Sequence, residues 1–404
     1  MQVSRPALLA TAILLAALPF SASAAAQEMC PSETYPAEAY PLDDFGFLTV
    51  DPGSIASMDV SGDSISKAFN GKGSFPCPNH DQEQYNWATS DTNGLAFCTA
   101  GPDGVYSQAE RIECLRGSVI NRAVPNHAKS GAQMLLDFVS QATAIQAYLS
   151  AQPAPRYVPV LLGHNDVCAG KVPKFLQGCE QGADQDPNNH CRTTPEAFER
   201  ELRKGLDILI TIPETRIGVA AMVRVTELCN HGNKQNCQVF LKCSKVWTAA
   251  AYTGWIFGAD NGICGSLTLD CSPERLVDTY LTARAYRDVS ERVTGEYSAI
   301  PPGGTSPVVT VGGQTVGGAT KADGVVVVYS DAAWRTRFPA ALLNCCDCFH
   351  PSPLGQHVGA AALFYGLACT PQTPCCKDTG DPLDEARCTT PDTSGTFYPG
   401  FFSN

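Results

Sequence analysis

The chain has 404 residues, of which 44% are hydrophobic and 17% are charged, and its formal net charge is −12. This hydrophobic fraction is enough to form a sizeable core, so the chain as a whole is not disordered. An acidic chain lacks the basic face that phosphate binding needs, which excludes nucleic acid as an expected partner.

Residues 1–26 have the pattern of a secretory signal peptide. Arg5 gives a short positive region, residues 7–20 are apolar, and the small residues at 22–26 provide cleavage motifs. An uncleaved membrane anchor is the weaker interpretation, because a membrane-spanning helix needs about 20 apolar residues. No later stretch is long and apolar enough to cross a bilayer. We therefore expect an extracytoplasmic protein, either periplasmic or released.

Apolar and β-rich runs alternate with helical patterns along the rest of the chain. The expected strands are 56–60, 117–124, 156–162, 217–225 and 324–329. The expected helices are 132–150, 194–210, 271–293 and 355–367. Continuously apolar runs such as RYVPVLL are typical of strands buried on both faces of a parallel sheet. The alternation predicts an α/β fold with a doubly wound, helix-covered sheet.

We expect residues 27–404 to form a single domain with decorated loops. Cysteine-rich insertions cover about 167–192 and 228–271, residues 300–323 favour a small hairpin, and residues 369–404 form a cysteine-rich tail. In an oxidising compartment the 19 cysteines indicate disulfide bonds. Their odd number leaves at least one thiol free or bonded to another chain.

Gly62-Asp63-Ser64 follows the first expected strand. A serine in a tight glycine turn directly after a strand is where an α/β sheet presents a nucleophile, since ligands bind outside the carboxyl ends of such strands. Taken alone, the motif also fits an ordinary solvated turn.

A second polar motif, Gly163-His164-Asn165-Asp166, follows the 156–162 strand. The amide of Asn165 at that strand end could donate a hydrogen bond to an oxyanion. An Asn-Asp loop that caps the next segment is the alternative interpretation.

The third motif, Asp347-Cys348-Phe349-His350, precedes the last expected helix. A serine nucleophile needs a base, and the base needs an orienting carboxylate, which an Asp and a His three residues apart can supply. His350 could also be a loop histidine without function. Of the seven histidines, only His350 has an Asp three residues before it and a Pro after it.

The three motifs, in this order, resemble the signature blocks of the SGNH (GDSL-type) hydrolases over about residues 55–367. The resemblance implies a flavodoxin-like three-layer α/β/α fold, and hydrolysis of acyl esters with no metal and no cofactor. It makes Ser64 the nucleophile, His350 the general base and Asp347 the orienting carboxylate. Asp63 and Asp166 are expected to hold their turns by local hydrogen bonds.

The same resemblance implies an oxyanion hole made of the Ser64 amide, a glycine amide and the Asn165 side chain. The glycine block has two alignments. Residues 126–132 match the family's N-x-A-x-S-G-A form and make Gly131 the donor, which we prefer because a backbone that approaches an oxyanion closely suits glycine. The other begins at Asn121, resembles a phospholipase B-like pattern, and places Asn126 where a glycine is expected.

Two further expectations concern the surroundings of the site. GHNDVC resembles the GxNDxC of phospholipase B-like and acyloxyacyl hydrolase-like members, which favours lipid esters. His164, at the variable position, could contact substrate or be a loop residue, and we prefer the second interpretation. The long spacing between Ser64 and Gly131 predicts an inserted loop at about 71–110 that overhangs the site.

Cysteines flank the expected catalytic aspartate. Cys345, Cys346 and Cys348 could form a metal cluster with His350, but disulfides are the expectation for an exported chain. The expected partners, Cys369, Cys375 or Cys376, lie in the C-terminal tail. We expect such bridges to fix the loop that carries Asp347 and His350.

Function is left with several candidates at this stage. The leading one is a secreted serine esterase or lipase that acts on a lipid or small-molecule ester. A carbohydrate O-acetylesterase on the same scaffold, an acyltransferase, and a disulfide-rich binding protein with a vestigial site remain open. The sequence does not determine the oligomeric state.

Overall fold

A computed structural model describes residues 52–73, 77–90, 103–168, 185–186, 192–237, 240–247, 264, 268, 271–335 and 340–364. The expected signal peptide and the C-terminal cysteine-rich tail lie outside these residues. Within the described ranges, no helix has both the length and the apolar character needed to cross a membrane.

The regular elements alternate along the chain. The strands are β1 (Ser57–Met58), β2 (Ser61–Gly62), β3 (Asn121–Arg122), β4 (Arg156–Leu161), β5 (Gln185–Asp186), β6 (Arg192–Thr193), β7 (Thr215–Ala220), β8 (Val309–Val311), β9 (Gln314–Val316) and β10 (Val326–Ser330). The helices are α1 (Gln108–Arg116), α2 (Met134–Ser150), α3 (His164–Cys168), α4 (Pro195–Leu209), α5 (Pro273–Ser298), α6 (Ala332–Arg335) and α7 (Pro353–Leu363).

The central sheet has the order β10-β7-β4-β1-β3, with β2 paired to β4, and every pairing in it is parallel. β1 and β2 are two halves of one interrupted strand. Counted along the chain, the sheet order is therefore the 2-1-3-4-5 order of flavodoxin-like folds, in which ligands bind where the winding direction reverses, between the first and third strands. Here that position lies between the β1–β2 strand and β4.

Hydrophobic cores lie on both faces of the sheet. In β4, Val158 and Val160 belong to one core, together with side chains of α2, α4 and α5. Tyr157 and Leu161 belong to the other, together with side chains of α1 and α7. Alternate residues of a strand point to opposite faces, so β4 is buried on both sides. The expected α/β fold, a parallel sheet between two helical layers, is confirmed.

The helix N-termini are determined by local sequence. Thr194, Ser272 and Ser352 each accept a hydrogen bond from a backbone N–H in the first turn of α4, α5 and α7, and a proline opens each helix. These helices begin within two residues of the expected positions. α5 extends beyond 293, and the expected end of α7 at 367 lies outside the described residues. The hairpin expected within 300–323 is present as β8 and β9, which pair antiparallel.

Two expectations about the elements need correction. The strand expected at 117–124 is only two residues long, since its chain departs from the sheet after Arg122. The region expected to be an inserted loop at 71–110 ends in the start of α1. This helix has a capping box between Ser107 and Glu110 and buries Ala109 and Ile112 in the second core.

Candidate active site

The three sequence motifs meet at the carboxyl ends of the parallel strands. Ser64 follows β2, and the segment 163–166 follows β4, so these two motifs lie at the point where the winding direction reverses. The loop with Asp347 and His350 comes after β10 and leads into α7. The topology thus brings together residues that are far apart in the sequence.

Ser64, His350 and Asp347 form a continuous hydrogen-bonded line. His350 Nε2 lies 2.8 Å from Ser64 Oγ, and His350 Nδ1 lies 2.8 Å from Asp347 Oδ2. Ser64 is 8% exposed, His350 6% and Asp347 0%. An ionised carboxylate accepts hydrogen bonds but cannot donate one, so the proton between Asp347 Oδ2 and His350 Nδ1 belongs to Nδ1. His350 Nε2 is then left to accept from the hydroxyl of Ser64. The order is that of a nucleophile, a base and an orienting carboxylate.

Asp347 is ionised although it is completely buried. Burial is the largest single influence and by itself raises its pKa. The charge and hydrogen bond of His350, the Asn70 side chain and the His350 backbone N–H together outweigh it, so the pKa of Asp347 lies below its usual value. Asn70 Nδ2 donates to Oδ2 over 2.7 Å, while the Phe349 and His350 N–H groups donate to Oδ1 over 2.9 Å.

Three disulfides surround the aspartate. Cys345 bonds to Cys237, Cys346 to Cys77, and Cys348 to Cys243. The expectation that these cysteines pair with the C-terminal tail is wrong. Their partners lie in earlier segments, at 77 and within 237–243, that pack beside the loop in three dimensions.

The backbone of this loop is constrained further. Trp247 Nε1 donates to the carbonyl oxygen of Asp347 over 3.0 Å. Asn344 Oδ1 accepts from the backbone N–H of Cys346 and of Asp347, each over 2.9 Å. Cys348 adopts a φ of +61°, which non-glycine residues rarely adopt. The disulfides and side-chain hydrogen bonds therefore hold a conformation that the loop alone would disfavour.

The nucleophile turn depends on a close approach at Gly62. A Cβ atom at this position would lie 2.1 Å from Ser66 Oγ and 2.6 Å from Ser66 Cβ. Asp63 Oδ1 accepts from the N–H of Ile65 over 2.9 Å, as its expected local role requires. The turn thus needs glycine before Asp63 and an acceptor at Asp63 to present Ser64.

Each of the three expected oxyanion donors keeps an N–H proton that makes no hydrogen bond within the described part of the chain. Among the described residues, neither the Ser64 nor the Gly131 backbone N–H has a hydrogen-bond partner. Gly131 has a φ of +81°, and a Cβ atom built on it would meet no atom within 4 Å. Asn165 Nδ2 gives one proton to the Ala132 carbonyl oxygen over 2.9 Å, which leaves its second proton for another acceptor.

Asn126, the alternative to Gly131, is placed differently. Its backbone N–H donates to Glu83 Oε2 over 3.0 Å, and its side-chain amide donates to Ser66 O and Thr89 Oγ1. Its backbone proton is therefore already used. Asn126 ties the nucleophile turn to the expected inserted loop, whose Glu83 also binds Lys67.

Asp166 does more than hold its own turn, which corrects the expectation for it. Its carboxylate accepts from the backbone N–H groups of Met134 and Leu135, at the start of α2, and from the hydroxyl of Thr193. These partners are 27 to 32 residues away in the chain. Burial, the largest influence, raises the pKa of Asp166 to about 6. Asp166 therefore binds the start of α2 to α3, and this also places the segment with Gly131, which directly precedes α2.

His164 is buried, which corrects its expected place on a loop. It is 2% exposed and begins α3. Its ring joins the carboxylate of Asp63 to the backbone at Val223. Asn70 lies outside the three motifs, and His164 lies inside one that does not reveal its contacts, because both side chains act through partners distant in sequence.

The cysteines next to Asp347, considered above as part of a metal cluster, form disulfides instead. The sulfur atoms of Cys77, Cys237 and Cys346 lie within 4.8 Å of one another. All three are engaged in disulfides with Cys346, Cys345 and Cys77 respectively, so these sulfurs are not thiolates. A disulfide sulfur is a poor ligand compared with the thiolate that zinc prefers.

Comparison with known proteins gives distant structural likeness only. No family model and no curated protein matches the sequence. The fold is similar to an alpha/beta hydrolase from the metagenome of Lake Arreo, Spain, at 15% identity and a TM-score of 0.39, with coverage of 78% of this chain and 98% of that one. It is also similar to an acetylxylan esterase from Geobacillus stearothermophilus, at 14% identity and a TM-score of 0.35, with coverage of 80% and 98%.

Proposed function

We propose that this protein is an extracytoplasmic serine ester hydrolase of the SGNH type. The observation that carries the proposal is the hydrogen-bonded line from Ser64 Oγ through His350 to the buried carboxylate of Asp347. The three motifs in family order, and their meeting at the switch point of a 2-1-3-4-5 sheet, support the SGNH type. The disulfides of the described residues support an oxidising location.

In the proposed reaction Ser64 Oγ attacks the ester carbonyl while His350 Nε2 takes its proton. Asp347 holds the ring in the Nδ1–H tautomer and stabilises the imidazolium that forms. The carbonyl oxygen becomes an oxyanion that accepts from Ser64 N–H, Gly131 N–H and Asn165 Nδ2, donors of a kind worth about 3–4 kcal/mol each. His350 returns the proton to the leaving alcohol. Water then attacks the acyl-enzyme by the same route, so protein groups alone carry the reaction.

The first experiment is hydrolysis of p-nitrophenyl esters from acetate to palmitate by the oxidised protein. Ser64→Ala is expected to lower kcat by about 10⁴-fold or more, because it removes the nucleophile. Ser118→Ala is the matched control, since Ser118 precedes β3 at the opposite, amino edge of the sheet. Its activity should equal that of the wild type. A folded wild type inactive on every ester would instead favour a binding protein with a vestigial site.

The acyl-length profile separates the candidate substrates. A preference for long acyl chains requires an apolar groove and would support a lipid ester, as the GHNDVC motif favours. A preference for acetate requires a shallow polar pocket and would support a carbohydrate O-acetylesterase. Product analysis with an added alcohol tests the transferase alternative, because an alcohol that captures the acyl-enzyme yields a new ester rather than a free acid.

A further inference from the structure

A second buried Asp–His pair, Asp63 and His164, lies next to the turn that carries Ser64. Asp63, which precedes Ser64, is 0% exposed, and His164, which precedes Asn165, is 2% exposed. His164 Nδ1 lies 2.8 Å from Asp63 Oδ2. On the other side of the ring, Nε2 lies 3.0 Å from the backbone nitrogen of Val223, just after β7.

These two contacts determine where the ring proton lies. The Val223 nitrogen can only donate, so His164 Nε2 must be the acceptor. The proton is then on Nδ1, where it is donated to Asp63. An added proton on Nε2 would place two donors against each other, so this geometry requires the neutral ring. His164 therefore cannot serve as a second base, since both of its nitrogens are already engaged.

The bridge connects the parts of the site that must keep a fixed separation. Asp63 also accepts from Ile65 N–H, so its carboxylate determines the backbone on both sides of Ser64. Asn165 follows His164, and its side chain is already tied to Ala132 O, next to Gly131. One ring thus relates the nucleophile turn to an oxyanion donor and anchors both to the end of β7.

We propose that His164 is a positioning residue that fixes Ser64 relative to Asn165 by donating to Asp63 and accepting from Val223. This role rests on the proposed function, because it concerns the geometry of the same reaction. Misplacing reacting groups by about 1 Å can cost about 10²-fold in rate. Loss of the bridge should therefore lower kcat, with little change in KM.

Two substitutions separate the two halves of the bridge. His164→Asn places an N–H at the position of Nδ1 and keeps the donor to Asp63, but it loses the acceptor for Val223. His164→Gln can accept from Val223 but loses the donor to Asp63. We expect kcat to fall by about 30- to 100-fold in His164→Gln and by less in His164→Asn, with KM within about threefold of wild type in both.

His357→Gln is the matched control for a merely structural histidine. His357 is also buried, and its Nδ1 accepts from the backbone N–H of Tyr106, a residue outside the nucleophile turn. Its substitution should lower the thermal unfolding temperature and leave kcat within about threefold of wild type. An equal fall of kcat in His357→Gln and His164→Gln would overturn the positioning role.

A double-mutant cycle tests whether His164 acts through Asp63. Asp63→Asn presents an amide N–H to the ring in place of an acceptor, so its effect on kcat and that of His164→Gln should not add. The double variant is expected to be about as active as the worse single variant. Independent, multiplicative effects would overturn the proposal.

The tautomer can be read without any activity measurement. Nitrogen-15 NMR of the wild type should show His164 neutral with its proton on Nδ1; a proton on Nε2, or a charged ring, overturns the bridge even if the variants do not fold. A wild type that neither hydrolyses esters nor reacts with a fluorophosphonate overturns the proposed function and the positioning role with it. An active, labelled wild type with an unaffected His164→Gln overturns the positioning role alone.

Discussion

Two buried aspartates of the site differ in the direction of their pKa shifts because they face different partners. Asp347 contacts the ring of His350 and several N–H donors, and its pKa is lowered in spite of burial. Asp166 contacts only neutral donors, with the charge of Asp63 nearby, and burial raises its pKa to about 6. The partners around each carboxyl group, rather than its exposure, decide the direction in which its pKa shifts.

Asp347→Asn should lower kcat by roughly 10³- to 10⁴-fold, because an amide in place of the carboxylate favours the wrong tautomer of His350. KM for p-nitrophenyl esters should change far less. Steady-state kinetics on the two proteins, checked for equal folding by circular dichroism, measure this. A variant with more than about a tenth of the wild-type kcat would show that Asp347 is not the orienting group.

Away from the triad, His127 and Asp59 predict a pH dependence of stability. The hydrogen bond to Asp59, partly offset by burial, raises the pKa of His127 above 6.5. A base with a raised folded-state pKa stabilises the fold fully below its unfolded value, and this contribution is lost as pH rises through the folded value. The stability advantage of wild type over His127→Gln should therefore shrink as pH rises above about 6.5.

Urea unfolding of both proteins at several pH values measures this difference. His80→Gln is a suitable control, because His80 is exposed and its ring contacts only a backbone oxygen of Pro78. Its stability relative to wild type should be independent of pH. An advantage of wild type over His127→Gln that grows with pH would contradict the pairing with Asp59.

At the scale of the elements, the start of α2 is bound by a side chain from another helix. Gln133, at its N-cap position, makes no side-chain capping bond. The carboxylate of Asp166, from α3, accepts from the first N–H groups of α2 instead. A carboxylate at this end also interacts favourably with the helix dipole. The placement of α2, and of Gly131 before it, thus depends on a residue of the GHND motif.

Asp166→Ala should destabilise the protein by about 1–3 kcal/mol, because it leaves buried donors of α2 and of Thr193 unpaired. The folded protein binds the Asp166 proton more tightly than the unfolded chain, so stability from this group falls as pH rises from about 4 to 6. The gap between wild type and variant should shrink over that range. Thr194→Ala, which removes the cap of α4, is the control and should show a gap that is independent of pH.

The elements also show what could be predicted from the sequence. α4, α5 and α7 begin where a Ser or Thr precedes a proline, since this signal is local. α1 was not predicted, since its first three residues fall in the region interpreted as a loop and the rest in a stretch without a predicted element. The strand at β3 was overestimated because its apolar run leaves the sheet. The positions in the three motifs meet as the family resemblance implied. Asn70 and the disulfide partners of Cys345, Cys346 and Cys348 were not predictable, because folding alone brings them near.

At the scale of the whole molecule, disulfides connect the loop that carries Asp347 and His350 to distant segments. Cys77 and Cys346 are 269 residues apart, and Cys243 and Cys348 are 105 apart. In the polymer description, bridges that close long loops restrict the unfolded chain most. Their position on either side of Asp347 means that they also fix the geometry of the site. Under the proposed function, stability and activity therefore depend on the same bonds.

Replacing Cys243 and Cys348 together by serine should lower kcat by about 10-fold or more, since the left-handed conformation at Cys348 loses its support. Stability should fall by about 2–5 kcal/mol. The matched control replaces Cys229 and Cys271, whose bridge lies at the start of α5 and joins no residue of the loop that carries Asp347 and His350. That variant should lose stability but keep kcat. Equal kcat losses in both would contradict a specific role of the bridge at Cys348.

The separation of Ser64 from His350 by 286 positions has a consequence for biosynthesis. Chains are made from the N-terminus, so a nascent chain carries the serine long before its base has been synthesised. The three bridges beside Asp347 then form only where cysteines are oxidised. If the proposed function holds, the chain is inactive until the segment with His350 has been made, and it reaches full activity only once the three bridges have formed. The esters of the producing cell's own cytoplasm would be spared by this timing.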